Sequence, residues 1–115
     1  MITARVTEEL ITAEALAASV KSDTAGAVVT FAGDVRNHDK GKSVTSLNYE
    51  VHPSAQSVIE KIVNEIVSKH DVVNVAVAHR YGAIAIGESA FVVAVASAHR
   101  GPAFACCNEL VEQIG

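Results

Sequence analysis

Tryptophan is absent from this chain of 115 residues, and only 4% of it is aromatic, although half is hydrophobic. Alanine and valine supply most of the apolar content. A core made that way consists of small, stiff side chains and needs secondary-structure elements that approach one another closely, as in an α/β or α+β domain. Disorder is excluded at this hydrophobicity. Basic surplus is also missing: the formal net charge is −4 and the pI is near 5.7. Nucleic-acid binders usually carry a basic stripe or surplus, so DNA and RNA are not expected partners. The longest apolar run, Ala90 to Ala96, is far too short to span a bilayer. No basic segment followed by an apolar one opens the sequence, so no signal peptide is expected. These absences together predict a cytoplasmic protein that is not bound to a membrane.

Cysteine is scarce, and both copies sit side by side at Cys106 and Cys107. Adjacent cysteines would close a strained ring if bonded together. Metal sites need ligands at recurring spacings, and no C-x-x-C occurs. The pair therefore reads as small buried residues on a helix. Five histidines (His38, His52, His70, His79 and His99) are spread singly, without H-x-H or H-E-x-x-H, so no metal site is expected. Gly-rich phosphate loops and the G-x-S-x-G elbow are missing as well.

The elements that remain are legible in outline. Ile2 to Val6 alternates as an edge strand, and Thr12 is placed to cap a helix through Lys21. Ala27 to Val35 is β-branched and apolar, a strand. His38 to Lys42 reads as a hairpin connector, with Val44 to Val51 as the returning strand. From Pro53, the positions Ala55, Val58, Ile59, Ile62, Val63, Ile66 and Val67 follow helical spacing, with Lys69 and His70 in the last turn. Val72 to Ala78 is an apolar strand. Tyr81-Gly82 and Ile86-Gly87 read as turns around a short crossover. Ala90 to Ala98 has the continuous apolarity of a central strand covered on both faces. Ala103 to Ile114 is helical again, with Phe104, Cys107, Val111 and Ile114 along one stripe. The order β-α-β-β-α-β-β-α predicts one α+β domain over residues 1–115, with its helices on one face of the sheet.

Two segments carry candidate chemistry. Gly33-Asp34-Val35-Arg36-Asn37-His38 places an arginine where an apolar strand stops. Ser97-Ala98-His99-Arg100-Gly101-Pro102 places another between a strand and a helix opening. Guanidinium is a permanent, planar cation suited to phosphate and carboxylate, and helix N-termini attract anions too. Taken singly, Arg36 suits a solvated strand end, and Arg100 an incidental helix-entry cation. Taken jointly, they predict a pocket for an anionic small molecule, with His38 and His99 as hydrogen-bond or proton donors. His79-Arg80 is read as a turn with an exposed cation, while Glu50 and Glu88 are read as salt-bridged or strand-edge carboxylates.

The run Gly26-Ala27-Val28-Val29-Thr30-Phe31-Ala32-Gly33-Asp34-Val35-Arg36-Asn37-His38 resembles the signature of the large, catalytic subunit family of molybdopterin synthase. The likeness continues through Leu47-Asn48-Tyr49-Glu50, Pro53, His79-Arg80-Tyr81-Gly82 and Gly87-Glu88. It ends in Val95-Ala96-Ser97-Ala98-His99-Arg100 and Ala103-Phe104. The resemblance implies an α/β hammerhead-like α+β fold with a mixed or antiparallel sheet. It also implies a homodimer whose subunits are each capped by a small ubiquitin-like sulfur-carrier subunit. The implied reaction moves sulfur from the carrier's thiocarboxylate to cyclic pyranopterin monophosphate, giving molybdopterin for molybdenum cofactor, with no tightly bound cofactor of the enzyme's own. By residue matching, Asp34, Val35, Arg36, His99 and Arg100 would bind the substrate, and Arg36, His99 and Arg100 would be catalytic. In one respect the chain departs from the pattern: the family's first catalytic lysine falls at Gly115, and its lysine-bearing tail is not within residues 1–115. A chain lacking that segment would bind the precursor with sharply reduced turnover. It could also serve as a non-catalytic module for the carrier or an anionic metabolite.

Overall fold

A computed structural model describes residues 1–36 and 51–115, together with the backbone strands at 38–39, 42–43 and 46–49. The elements in chain order are β1 (Ile2–Thr7), α1 (Ala13–Val20), β2 (Ala27–Asp34), β3 (His38–Asp39), β4 (Lys42–Ser43), β5 (Ser46–Tyr49), α2 (Ala55–Val67), β6 (Asn74–Arg80), β7 (Gly82–Ala85), β8 (Ser89–Ser97) and α3 (Arg100–Ile114). Strands β1, β6, β8 and β2 form one mixed sheet in that spatial order. β1 runs parallel to β6, and the other two pairings are antiparallel. Together with three helices, this is the α+β architecture expected.

The two central strands explain the composition. Val75 and Val77 of β6, with Phe91, Val93 and Val95 of β8, point into a thick layer formed by Ile59, Val63 and Ile66 of α2 and Ala103, Cys106, Cys107 and Leu110 of α3. The alternate residues, Ala76, Ala78, Val92, Ala94 and Ala96, meet Ile11, Leu16 and Val20 on the other face. Strand side chains alternate between faces, so a Val-Ala repeat gives a bulky face to two helices and a shallow face to one. Helix α1 therefore lies opposite α2 and α3, which corrects the expectation of all helices on one face. Thr12 does cap α1, its Oγ1 accepting the Ala15 N–H at 3.1 Å.

Other expectations shift in detail. The segment read as a returning strand contributes only β5, which pairs with β7 and not with β2; Val44, Thr45 and Glu50 lie outside the described residues. The connector at 38–42 is itself a short antiparallel pair, β3 with β4. The supposed crossover contains strand β7, bounded by Gly82 and Gly87 at φ +83° and +86°, conformations open to glycine at little cost. Helix α2 ends at Val67, so Lys69 and His70 lie beyond it. There both meet Glu109 of α3, with His70 Nε2 2.8 Å from Oε1 and Lys69 Nζ donating to Oε2. Helix α3 starts three residues earlier than its periodicity predicts. Its buried stripe is Ala103, Cys106, Cys107 and Leu110, while Phe104 is 59% exposed. The open edge of β1 is covered by one side chain: Gln56 Nε2 donates to the Ala4 carbonyl and Gln56 Oε1 accepts the Val6 N–H, both at 2.8 Å.

Two measurements check this packing. Ala94 is fully buried on the shallow face, so Ala94→Leu should cost about 1–3 kcal/mol in urea unfolding through overpacking. Ala105→Leu, at an exposed helix position, should stay within about 0.5 kcal/mol. The Glu109 carboxyl is held below its ordinary value by Lys69 first and His70 second. Its stabilisation is present above the unfolded value and is lost as pH falls through the lower folded one. Between about pH 6 and pH 3 the Tm of Glu109→Gln should therefore fall less than that of the parent. Parallel pH profiles would mean that the cluster is not formed in solution.

Candidate functional site

The structure separates the two predicted cationic segments. Ala27 is paired with Ser97, and Asp34 with Ser89, in the antiparallel β2–β8 ladder. Arg36 therefore lies beyond one end of this ladder, and His99 and Arg100 beyond the other. Seven residues of strand at roughly 3.4 Å each put those ends about 24 Å apart. One chain does not close both guanidinium groups around one ligand.

At the first end, Val35 is an anchor. Its side chain is buried, its N–H donates to the Glu88 carbonyl at 3.0 Å, and its own carbonyl accepts the Gly87 N–H at 2.8 Å. Clamped to the β7–β8 turn, Val35 offers a ligand no unused backbone group. It does fix where the chain leaves β2, and hence where the exposed Arg36 begins. Asp34 accepts from the Ser89 hydroxyl across the ladder. Asn37 and His38 lie outside the described side chains.

Beside Asp34 lies a groove of about 380 Å³, lined by Phe31, Gly33, Asp34, His79, Ala90, Phe91, Val111 and Gly115. Asp34 was foreseen there, and His79 was not. The His79 ring packs 5.5 Å from that of Phe91, and its Nδ1 lies 3.0 Å from the Arg80 carbonyl. A carbonyl only accepts, so Nδ1 carries the hydrogen and Nε2 is the basic nitrogen of the neutral ring. No local signal marks His79, because strand β6 reads as uniformly structural. Gly115, where the resemblance puts a lysine, is on the wall of this groove.

At the second end, His99 is the N-cap of α3, with φ −126° and ψ 150°, and Arg100 is the first helical residue. Both are exposed. No side chain caps the helix, which leaves the first N–H groups of α3 directed outward beside a guanidinium. Pro102 in the first turn supplies no N–H. The Ser97 hydroxyl donates to the His99 carbonyl and holds the entry to the helix.

Arg80 contradicts its expected exposure: the residue is 8% exposed, and Nη1 donates to Glu88 Oε1 at 2.9 Å. Glu88 also accepts the Ala85 N–H. The Arg80 hydrogen bond, followed by that one, lowers its carboxyl from the ordinary value. Glu88 is thus salt-bridged, as read. Burial pushes the Cys106 thiol up to about 11 and raises that of Cys107; both are free and buried, so thiolate chemistry is excluded at neutral pH. No group of three metal-ligating side chains occurs among the described residues.

These features define an α+β protein with an anion-receptive helix entry, a cationic strand end and an adjoining groove. The family model described as MoaE protein matches residues 6–115, and the chain belongs to that family. A molybdopterin synthase catalytic subunit of Thermoplasma volcanium is 37% identical over 110 residues, which are 95% of this chain and 80% of the relative. The crystal structure of molybdopterin synthase from Staphylococcus aureus superposes with a TM-score of 0.85 at 32% identity, covering 95% of this chain and 80% of that one. A complex of subunits 1 and 2 of molybdopterin-converting factor from Helicobacter pylori shares the fold. Its TM-score is 0.74 at 20% identity, over 97% of this chain and 75% of that one.

Proposed function

We propose that this chain is the catalytic subunit of a molybdopterin synthase, a sulfurtransferase of molybdenum cofactor biosynthesis, and that two copies of it complete each active site. The family match over residues 6–115 carries the reaction class. Sulfur arrives as the thiocarboxylate of a small ubiquitin-like carrier subunit and passes to cyclic pyranopterin monophosphate. The groove beside Asp34 suits the carrier's extended tail, because a tail lying in it ends near the strand exit that bears Arg36. Free, protonated thiols at Cys106 and Cys107 fit a reducing compartment, and we place the reaction in the cytoplasm.

The separation of Arg36 from Arg100 is what requires the second copy. β2 is an edge of the four-stranded sheet, and Thr30, Phe31 and Ala32 are exposed in succession on it. Edge strands are templates for pairing, and a two-fold axis makes such pairing antiparallel and self-complementary. With the axis at Phe31, Arg36 of one copy stands opposite Gly26 of the other. Gly26 lies beside Ala98, with 3.5 Å between an ideal Cβ and the Ala98 carbonyl oxygen, next to His99 and Arg100. Two chains thus restore the anion pocket at both ends of the paired strands.

In that pocket the two arginines hold the substrate phosphate and stabilise negative charge as the cyclic phosphate opens and the thiocarboxylate attacks. Orientation of carrier and pterin supplies most of the remaining advantage. Val35 acts as a positioning residue, through its clamp on the β7–β8 turn.

Arg36→Ala and Arg100→Ala should each weaken precursor binding by about 1.5–3 kcal/mol and lower molybdopterin formation from thiocarboxylated carrier. Mixed after dissociation, the two variants should regain about a quarter of parental activity, since half of the dimers are mixed and each mixed dimer has one intact site. No regain would refute the shared site. Precursor binding by the parent with no product at all would favour a non-catalytic binding module.

A further inference from the structure

A second cavity, of about 270 Å³, lies between the end of β1, helix α2 and the last turn of α3. Val6, Ile59, Ile62 and Ile114 make it apolar. Val51 and Val58, also on its lining, are 41% and 49% exposed, so it opens to solvent along that edge. His79 contributes to both this wall and the groove beside Asp34, but the remaining lining residues are different.

Arg80 gives the cavity its chemistry. Its side chain is 9% exposed and its charge is balanced by Glu88 through Nη1. The buried Nε–H has no hydrogen-bond acceptor among the described residues. Buried donors without a partner are rare, and each calls for a reason. In a small apolar cavity with a few polar groups, that reason is a ligand.

We propose that this cavity binds a compact ligand with an apolar body and a neutral carbonyl oxygen, which accepts the Arg80 Nε–H. The class follows from charge and size. The guanidinium already has a carboxylate, so a second one would bring uncompensated negative charge into a dry site, whereas a carbonyl satisfies the donor without adding charge. Glu8, which hydrogen-bonds Tyr81 on the same lining, makes a further anion still less welcome. Water takes about 30 Å³ each in the liquid, so the volume suits a single ring with a short substituent. His52, its Nδ1 2.7 Å from Ser54 Oγ, and Gln113 supply polar groups for that substituent.

The experiment titrates the whole chain, with labelled isoleucine and valine methyls and labelled arginine side chains, against two probes followed by NMR. Benzamide carries the ring and the carbonyl; benzylamine carries the ring alone. Benzamide should give saturable shifts of the Ile59, Ile62 and Ile114 methyls together with the Arg80 Nε–H, at up to ~10 mM, the range expected for so small a ligand. Benzylamine should bind at least tenfold more weakly. Val58→Trp, which fills the cavity from its exposed edge, should abolish both responses while the rest of the spectrum stays folded. Saturation absent for benzamide, equal binding of both probes, or binding unchanged by Val58→Trp would each overturn the assignment. So would methyl shifts with an unmoved Nε–H, which would mean that water alone occupies the donor. None of these readouts involves sulfur transfer, so failure here leaves the proposed reaction standing.

Discussion

The alternation of valine and alanine along β6 and β8 is the constraint from which the remaining architecture follows. On one face the larger side chains space the sheet from α2 and α3; on the other, Ala76, Ala78, Ala94 and Ala96 let α1 settle close. A protein without tryptophan and with few aromatics cannot fill a deep layer on both sides, so it makes one layer deep and one shallow. Because β8 is covered on both faces and flanked by β6 and β2, its two ends become the places where functional groups emerge. At one end the β7–β8 turn grips Val35; at the other, Ser97 holds the entry to α3.

Local patterns made much of this legible. The apolar spacing from Ala55 to Val67, the Thr12 cap and the unbroken apolarity of β8 each depend on residues close in sequence, and each survives in the structure. Pairings between distant segments were not legible. β5 joins β7 because the ladder with β8 occupies the inner side of β2, and nothing within residues 44–51 records that. The face chosen by α1 depends on which side of two other strands carries alanine. Phe104 was assigned to the buried stripe because helical spacing alone leaves the phase open, and Ala103, Cys106 and Leu110 satisfy the same period one step away.

The site divides along the same line. Arginines where apolar strands stop are visible in sequence, and Arg36, His99 and Arg100 do lie at exposed ends. Their separation was invisible, because it follows from the antiparallel register of β2 with β8. Arg80 looked like a turn cation because its partner, Glu88, is eight residues away across strand β7. Only the fold shows that the pair is inside. His79 escaped notice for the opposite reason: on a strand of uniform character it had no contrast with its neighbours until Phe91 and the groove surrounded it.

Charge placement reconciles an acidic protein with a phosphorylated substrate. Of the four arginines, Arg5 reaches Glu9 at 3.9 Å and Arg80 is neutralised by Glu88. Arg36 and Arg100 make no ion pair among the described residues, so the arginine charge that remains uncompensated there sits at the two ends of the β2–β8 ladder. Net charge governs long-range steering, but a bound anion responds to the nearest few groups, above all where pairing excludes water. An overall negative chain can therefore hold phosphate tightly provided those two ends meet. That requirement ties the open edge of β2 to the chemistry: the strand that leaves the sheet unfinished is also the one whose pairing would bring the two cations together.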